Sequence, residues 1–415
     1  MTDTFSTPSS LGGWHHDRSS PLLAAACRGQ VNPTPAQRPA RIAGLVTLLL
    51  VIVGAVCAQD AERPNDRDEA FSVTLGAEEH VPFEAIRFCP DEHVSYRKGP
   101  RGFSVWVVGE GGNWLFHGPS LARLSRLGQG PVLPSVGNQH FDRDYVGLSA
   151  VIPASDGREL LGFYHAEFHP EAPKAFPFLA SLGLATSVDG VRWKRVGQVI
   201  AGLENQLKPG DGHNIGACEP SAVLHTDGTE EFIYLYWGEY YYDRQGAIYV
   251  ARSPRASGGR PGTWQKWTGK GWGSPGVQNI AEPVLSAAPS PPYLTLQMPH
   301  VSWNTALHRW LMVYASDVAF HAAASADGVH FGAPIEIMRL TPFHGKPGDI
   351  FTAYPTLVSP EKATQMVTGE EGFLYFARGP WGTNHTAWRR SFQITVGPPR
   401  STAQSDARPD SRAVR

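Results

Sequence analysis

The chain has 415 residues, 41% of them hydrophobic and 18% charged, so it can bury a sizeable core and is not disordered as a whole. Lys and Arg number 36 against 38 Asp and Glu, and a formal charge of -2 supplies no global basic field, which argues against a nucleic-acid partner. The 44 Gly and 35 Pro punctuate turns while 12 Trp, 13 Tyr and 19 Phe suit pleated strands, a balance that reads as all-β.

Residues 42–56 (IAGLVTLLLVIVGAV) form an apolar run behind Arg38 and Arg41 and end on the small-residue stretch Val56-Cys57-Ala58. That layout predicts an N-terminal extension and signal peptide over 1–58, cleaved after Ala58, and a secreted or periplasmic protein. Two alternatives stay open. A lipid on Cys57 is one, although Val56 is bulkier than the residue such a site carries. An uncleaved anchor is the other, although the run falls short of the roughly 20 residues that span a bilayer. Membrane contact follows only from these two. A true start downstream, at Val31 for example, would account for the long polar stretch ahead of the run.

Residues 59–84 are charged and mixed and read as a linker, and 397–415 lack any apolar period and read as a disordered tail. The folded body is then 85–396. Its two cysteines, Cys89 and Cys218, suit either one disulfide or two separate buried thiols.

Within the body one pattern recurs: a β-rich apolar stretch, a turn, and an aromatic strand. In chain order the copies are 103–108 with 113–116, 146–152 with 160–165, 219–224 with 232–238 and 247–253, 299–303 with 310–314, and 354–358 with 372–377. Two turns of nearly the same sequence, 187–193 (SVDGVRW) and 325–331 (SADGVHF), are predicted to close outer hairpins, with Asp-Gly supplying the reversal and an aromatic anchoring it. Five copies over the body give roughly 62 residues each, enough for a four-stranded blade with long loops. The absence of a βαβ rhythm argues against a doubly wound sheet or a TIM barrel. The expected fold is therefore an all-β, five-bladed β-propeller.

These copies resemble the five-bladed propeller glycosidases, glycoside hydrolase families 43, 32, 62, 117 and 130. In that group a blade's innermost strand opens at a central funnel, with a carboxylate followed by Pro and a small or apolar run. Cys218-Glu219-Pro220-Ser221 resembles the third-blade version, which implies that Glu219 is the general acid. Phe141-Asp142-Arg143-Asp144-Tyr145 resembles the Arg-Asp-Pro element of family 32, with Tyr145 in place of Pro, and implies that Asp144 orients substrate and tunes the acid. No Asn-Asp-Pro element precedes Phe103; of the upstream carboxylates Glu84, Asp91 and Glu92, Asp91 is the candidate base. Glycoside hydrolysis needs this residue chemistry, one protonated carboxyl on the leaving oxygen and one ionised carboxylate on the opposite face of the sugar.

Around these carboxylates, His165, His213, Trp237, His300, Trp303 and Tyr354 are the expected substrate-binding residues, and Tyr240, Tyr241, Tyr242 and Trp381 are further aromatics for stacking on a sugar. His213, His165, His300 and His344 show no ligand spacing, so no cofactor is expected, although family 43 members often hold a central calcium. The predicted function is cleavage or binding of an oligosaccharide or polysaccharide in the funnel, as an exported glycoside hydrolase. The alternative is a non-catalytic carbohydrate- or protein-binding propeller. A six-bladed sialidase-type propeller is weaker, because both turns here set Asp and Gly adjacent, one residue shorter than the sialidase signature turn.

Overall fold

The computed structural model describes residues 70–397 apart from 84–85, 173–176, 209–212, 241–245, 287–294 and 344–345. The apolar run at 42–56, Cys57, Ala58 and the 398–415 stretch lie outside the described residues, as do Glu84, Tyr241, Tyr242 and His344. Strands dominate, and the helical elements among the described residues are two three-residue turns, His140–Asp142 and Arg255–Ser257.

The strands form antiparallel runs that follow the sequence copies. The first comprises Ser95–Gly99, Gly102–Gly109, Gly112–Ser120 and Arg123–Arg126, and the second Tyr145–Pro153, Leu160–Phe168, Leu179–Ser187 and Lys194–Ala201. The third runs Ile215–Asp227, Glu230–Tyr240, Ala247–Pro254, Gln265–Trp267 and Trp272–Pro275. The fourth is Gln297–Asn304, Arg309–Ala315, Ala319–Ser325 and Ile335–Arg339. The second and third runs belong to one hydrogen-bonded sheet, but only a two-residue parallel pairing, Ile215 with Leu179 and Gly216 with Ala180, joins them.

The fifth run departs from expectation. It comprises Ile350–Val358, Glu371–Pro380 and Thr386–Val396, and its outer strand is Phe71–Val81 from the far end of the body. Those residues had read as linker. They pair because Phe71, Val73 and Leu75 alternate with polar residues and pack on the apolar cluster of the fourth and fifth runs, while Glu78 and Glu79 meet Arg378 and Arg389. The early charges mask a half-buried strand.

Successive runs are tied in a closed circuit, the second to the third by the two-residue pairing above and the others through the openings of their first strands. Ser95 Oγ donates to the Ser149 carbonyl, Val301 N to Ser221 Oγ, and Leu357 N to His300 Nδ1. Val94 N then donates to Thr356 Oγ1, returning from the fifth run to the first. Each strand in the circuit therefore brings its opening residues toward the same place.

Both Asp-Gly turns close third-to-fourth-strand hairpins, as expected. In each, the Ser187 or Ser325 hydroxyl accepts the glycine N–H, and Asp189 or Asp327 accepts the two N–H groups that follow. The turn also serves its neighbour. Trp106 Nε1 of the first run donates to Gly190 O of the second, and Tyr236 Oη of the third donates to Gly328 O of the fourth. Both glycines have positive φ, and a side chain there would strike the same Trp106 or Tyr236.

Tyr236 is fully buried, so Tyr236→Phe leaves the Gly328 carbonyl without that donor and should cost about 1–3 kcal/mol in urea unfolding. A change in the midpoint equivalent to less than about 0.5 kcal/mol would show that this contact does not hold the third and fourth runs together.

Candidate active site

Opening residues of the first strands meet in a cavity of about 590 Å³. Its size is ordinary for a small-ligand site. Three of its lining residues, Glu219, Met298 and Tyr354, share one local device: each precedes a proline, each has positive φ (47°, 55° and 58°), and each sits at a bulge in strand pairing. Non-glycine residues avoid that conformation, at a cost of order 1–3 kcal/mol, so it persists only where the surroundings impose it. The corresponding place in the second run is Gly147. A side chain there would come within 2.7 Å of both Glu92 Cγ and Tyr145 Oη. The missing Cβ makes room for them.

The first run supplies the carboxyls that sequence alone left unsettled. Asp91 and Glu92 precede Ser95–Gly99, which is the first strand of that run, whereas Phe103 lies on the second. Asp91 accepts from Tyr145 Oη at 3.2 Å and Tyr354 Oη at 3.3 Å, and His385 Nε2 stands 3.6 Å away. Burial, then the charges of Glu92 and Glu167, push its carboxyl up to about 7.

Glu219 is 3% exposed and accepts from Tyr240 Oη at 3.2 Å through Oε1, while its buried Oε2 has no hydrogen-bond partner. Burial above all, with Glu92 and Glu167 adding repulsion against the pull of His165, pushes Glu219 up to about 8. A carboxyl in that state holds a proton at neutral pH and can donate it.

His165 is gripped between acids. Its Nδ1 lies 2.8 Å from Glu92 Oε1, its Nε2 3.5 Å from Glu167 Oε1, and His169 Nε2 pairs with the other oxygen of Glu167. Burial alone would lower its pKa, but the hydrogen bond and charge of Glu92, with Glu167 and Glu219 behind, raise it to about 9. Part of the lining is aromatic. Phe351 and Trp381 have ring centroids 5.3 Å apart, and Phe343 lies 5.2 Å from Trp381.

Asp91, Glu219, His165 and Tyr354 thus meet in one cavity; Asp144, His213, Trp237, His300 and Trp303 are not among its described lining residues. Asp144 is taken up by its neighbour Arg143, which grips both its oxygens, and by the N–H of His169. Burial works against these contacts, but they hold its carboxyl below the usual range. Of the described lining residues, it holds His169. His213 is exposed, and the next residue, Asn214, lines the cavity instead. Trp237 lies in the core, stacked on Tyr249 and donating to Glu239, and Trp303 packs edge-on against Trp310.

His300 is buried in a second layer, two residues beyond Met298. His93, Ser221 and Thr356 hold the same offset from Asp91, Glu219 and Tyr354. Its ring lies 5.8 Å from that of His93, and burial pushes it down to about 3.

Cys89 and Cys218 are free buried thiols, so the disulfide weighed from their pairing is not formed. For calcium, no group of three or more His, Cys, Asp or Glu among the described residues is arranged to hold a metal ion. The second layer offers imidazoles and single hydroxyls, a poor set for a hard cation that takes six to eight oxygens.

Sequence reasoning passed over Glu167, Tyr145 and His385, and left Glu92 without a role. Glu167 had a signal: it lies two residues beyond His165 on one strand and so shares its face.

No protein-family model matches the chain, and no curated protein matches it in sequence. In fold it is similar to the solved BT0996 RGII complex, at 13% identity over 80% of this protein and 94% of that one, with a TM-score of 0.51. It is also similar to Zg3597, a family 117 glycoside hydrolase produced by the marine bacterium Zobellia galactanivorans (12% identity, 80% and 92% covered, TM-score 0.47). A thermostable family-43 glycoside hydrolase is a third, at 13% identity, 76% and 91% coverage and TM-score 0.43. Such identities make this a likeness of fold, in keeping with the all-β propeller expected from the sequence.

The raised acids make stability depend on pH. Glu219 titrates near 4.5 when unfolded and near 8 when folded, so between those values the folded chain keeps a proton that the unfolded chain has lost. Its contribution is whole below the lower value and is lost as pH rises through the upper one. Relative to Glu219→Gln, the wild type should therefore lose stability toward urea as pH rises from about 5 to 8. An unchanged slope in the variant would mean that Glu219 is not protonated in the folded protein.

Proposed function

We propose that this protein is an exported glycoside hydrolase that binds an oligosaccharide or polysaccharide end in the cavity and cleaves a glycosidic bond there. Each of the five antiparallel runs would be one propeller blade, and residues 1–58 would direct export. One observation carries the proposal: two carboxyls from distant parts of the chain, Asp91 and Glu219, face one cavity in different surroundings. Glu219 is enclosed with one oxygen unpartnered, while Asp91 has 31% of its side chain exposed and accepts from two phenols.

The division of labour follows from those surroundings. Glu219 donates its proton to the leaving oxygen as the glycosidic bond breaks. Asp91, pulled back toward ionisation by Tyr145 and Tyr354, serves the opposite face of the sugar as the anion, either activating water or attacking the anomeric carbon. His165, held by Glu92, keeps a positive charge near Glu219 and limits how far its pKa rises.

Glu219→Gln keeps shape but removes the transferable proton, so turnover of an ordinary glycoside should fall by about two to four orders of magnitude. A substrate with an activated aryl leaving group needs little protonation and should suffer far less. Steady-state rates of both substrates, at matched folded concentration, check this. Undiminished turnover of the ordinary glycoside would remove Glu219 from the mechanism, and an equal loss on both substrates would point to damage other than a lost acid.

A further inference from the structure

A bulge takes a residue out of ladder pairing, and its backbone N–H and carbonyl must then find partners elsewhere. At Tyr354, side chains supply both. The N–H donates to the Met298 sulfur at 3.4 Å, and the carbonyl accepts from Thr356 Oγ1 at 3.2 Å. Met298 is 4% exposed and Tyr354 9%, so bulk water is a poor substitute for that sulfur. A thioether is a weak acceptor, yet here it meets the amide of a residue whose φ of 58° is already unfavourable.

Tyr354 in turn acts on the first run. Its Oη donates to Asp91 Oδ1 at 3.3 Å, and its ring stands edge-on to Phe351 with centroids 6.0 Å apart. Where the phenol points depends on where the backbone of Tyr354 is held. The contacts therefore run from Met298 on the fourth run, through Tyr354 on the fifth, to the Asp91 carboxyl that opens the first.

Resting on the reading of Asp91 as the group that serves the far face of the sugar, we infer that Met298 is a positioning residue: its sulfur holds the Tyr354 backbone, and through Tyr354 it fixes the Asp91 carboxyl in the cavity. Without the acceptor, a buried N–H is left unpaired in a conformation that already costs energy, so the bulge relaxes and the phenol leaves Asp91. Asp91 would keep Tyr145 as a donor, with Cys89 and His385 beside it and the charges of Glu92 and Glu167 against it. Tyr354 itself lies in the field of Asp91, Glu92, Glu219 and Tyr240. With one donor fewer, the Asp91 carboxyl titrates higher.

The test is a carbon-13 titration of the Asp91 carboxyl in the full chain, its signal assigned by its loss in Asp91→Asn. Met298→Leu conserves volume and removes the acceptor, so the Asp91 midpoint should rise by about 0.5–1 pH unit, and the acidic limb of kcat/KM with it. Met298→Gln keeps the length and offers an amide oxygen, so it should hold the wild-type midpoint. Tyr354→Phe should raise the midpoint as Met298→Leu does, and combining the two should add nothing further. An unmoved midpoint in Met298→Leu overturns the inference, as does an equal rise in Met298→Gln or full additivity with Tyr354→Phe. The titration needs no substrate, so the two proposals fail separately. If the midpoint moves as expected and no glycoside is turned over, hydrolysis falls and the positioning stands; if glycosides are turned over and the midpoint is unmoved, the positioning falls and hydrolysis stands.

Discussion

Convergence of the first strands' opening residues on one cavity is the constraint from which the rest of this structure follows. Strands that fan outward have ample room at their far ends and almost none at their near ends, where side chains from every run compete for the same space. The chain meets this in two ways. At Gly147 it removes the side chain, and the volume goes to Glu92 and Tyr145. At Glu219, Met298 and Tyr354 it bulges the strand before a proline, and these residues line the cavity instead of continuing the regular pairing. Two residues further on, small or polar groups, Ser221, His300 and Thr356, make the hydrogen bonds that tie neighbouring runs. Crowding thus produces both the cavity and its floor.

Collecting acids at such a place is costly, because each is taken from water and set beside others of like charge. Phenols soften the cost without neutralising the group. Tyr145 and Tyr354 donate to Asp91, and Tyr240 donates to Glu219. Glu92 instead takes an imidazole, and that pair fixes where the positive charge of His165 stands. The cluster lowers stability, and the hairpin staples Trp106 and Tyr236, remote from it in the runs, help to offset that loss. Structural and site-forming aromatics therefore divide cleanly along the strands.

Much of the fold was legible because its signals are local. Alternation and turn chemistry marked the copies, and Ser-x-Asp-Gly marked the two outer hairpins. The strand Phe71–Val81 was not, because its partner, Thr386–Val396, lies at the other end of the body and its charges find their mates only there. The same holds for the site. Glu219 could be picked out from the carboxylate-Pro pattern, and Asp91 as the nearest acid upstream, but the choice among Asp91, Glu92, Asp142 and Asp144 depends on side-chain partners. Asp142 is sealed against Tyr164 and Arg195, and Asp144 is held by Arg143, neither of which spacing reveals. Aromatic strands were ambiguous for a further reason: Trp237 faces the core, whereas Tyr240, three residues on and past the regular alternation, faces the cavity.

Which acid keeps the proton is then decided by enclosure and by the count of donors. A carboxylate that accepts from phenols and touches solvent is held nearer its ionised form than one that accepts a single phenol and is otherwise sealed. Asp91 meets the first description and Glu219 the second. Repulsion from Glu92 and Glu167 raises both carboxyls. Both carboxyls are raised, Asp91 to about 7 and Glu219 to about 8, and the lower value falls to the more exposed of the two. That asymmetry follows from burial, since the first and third runs open into the same cavity but leave Asp91 part exposed and Glu219 enclosed.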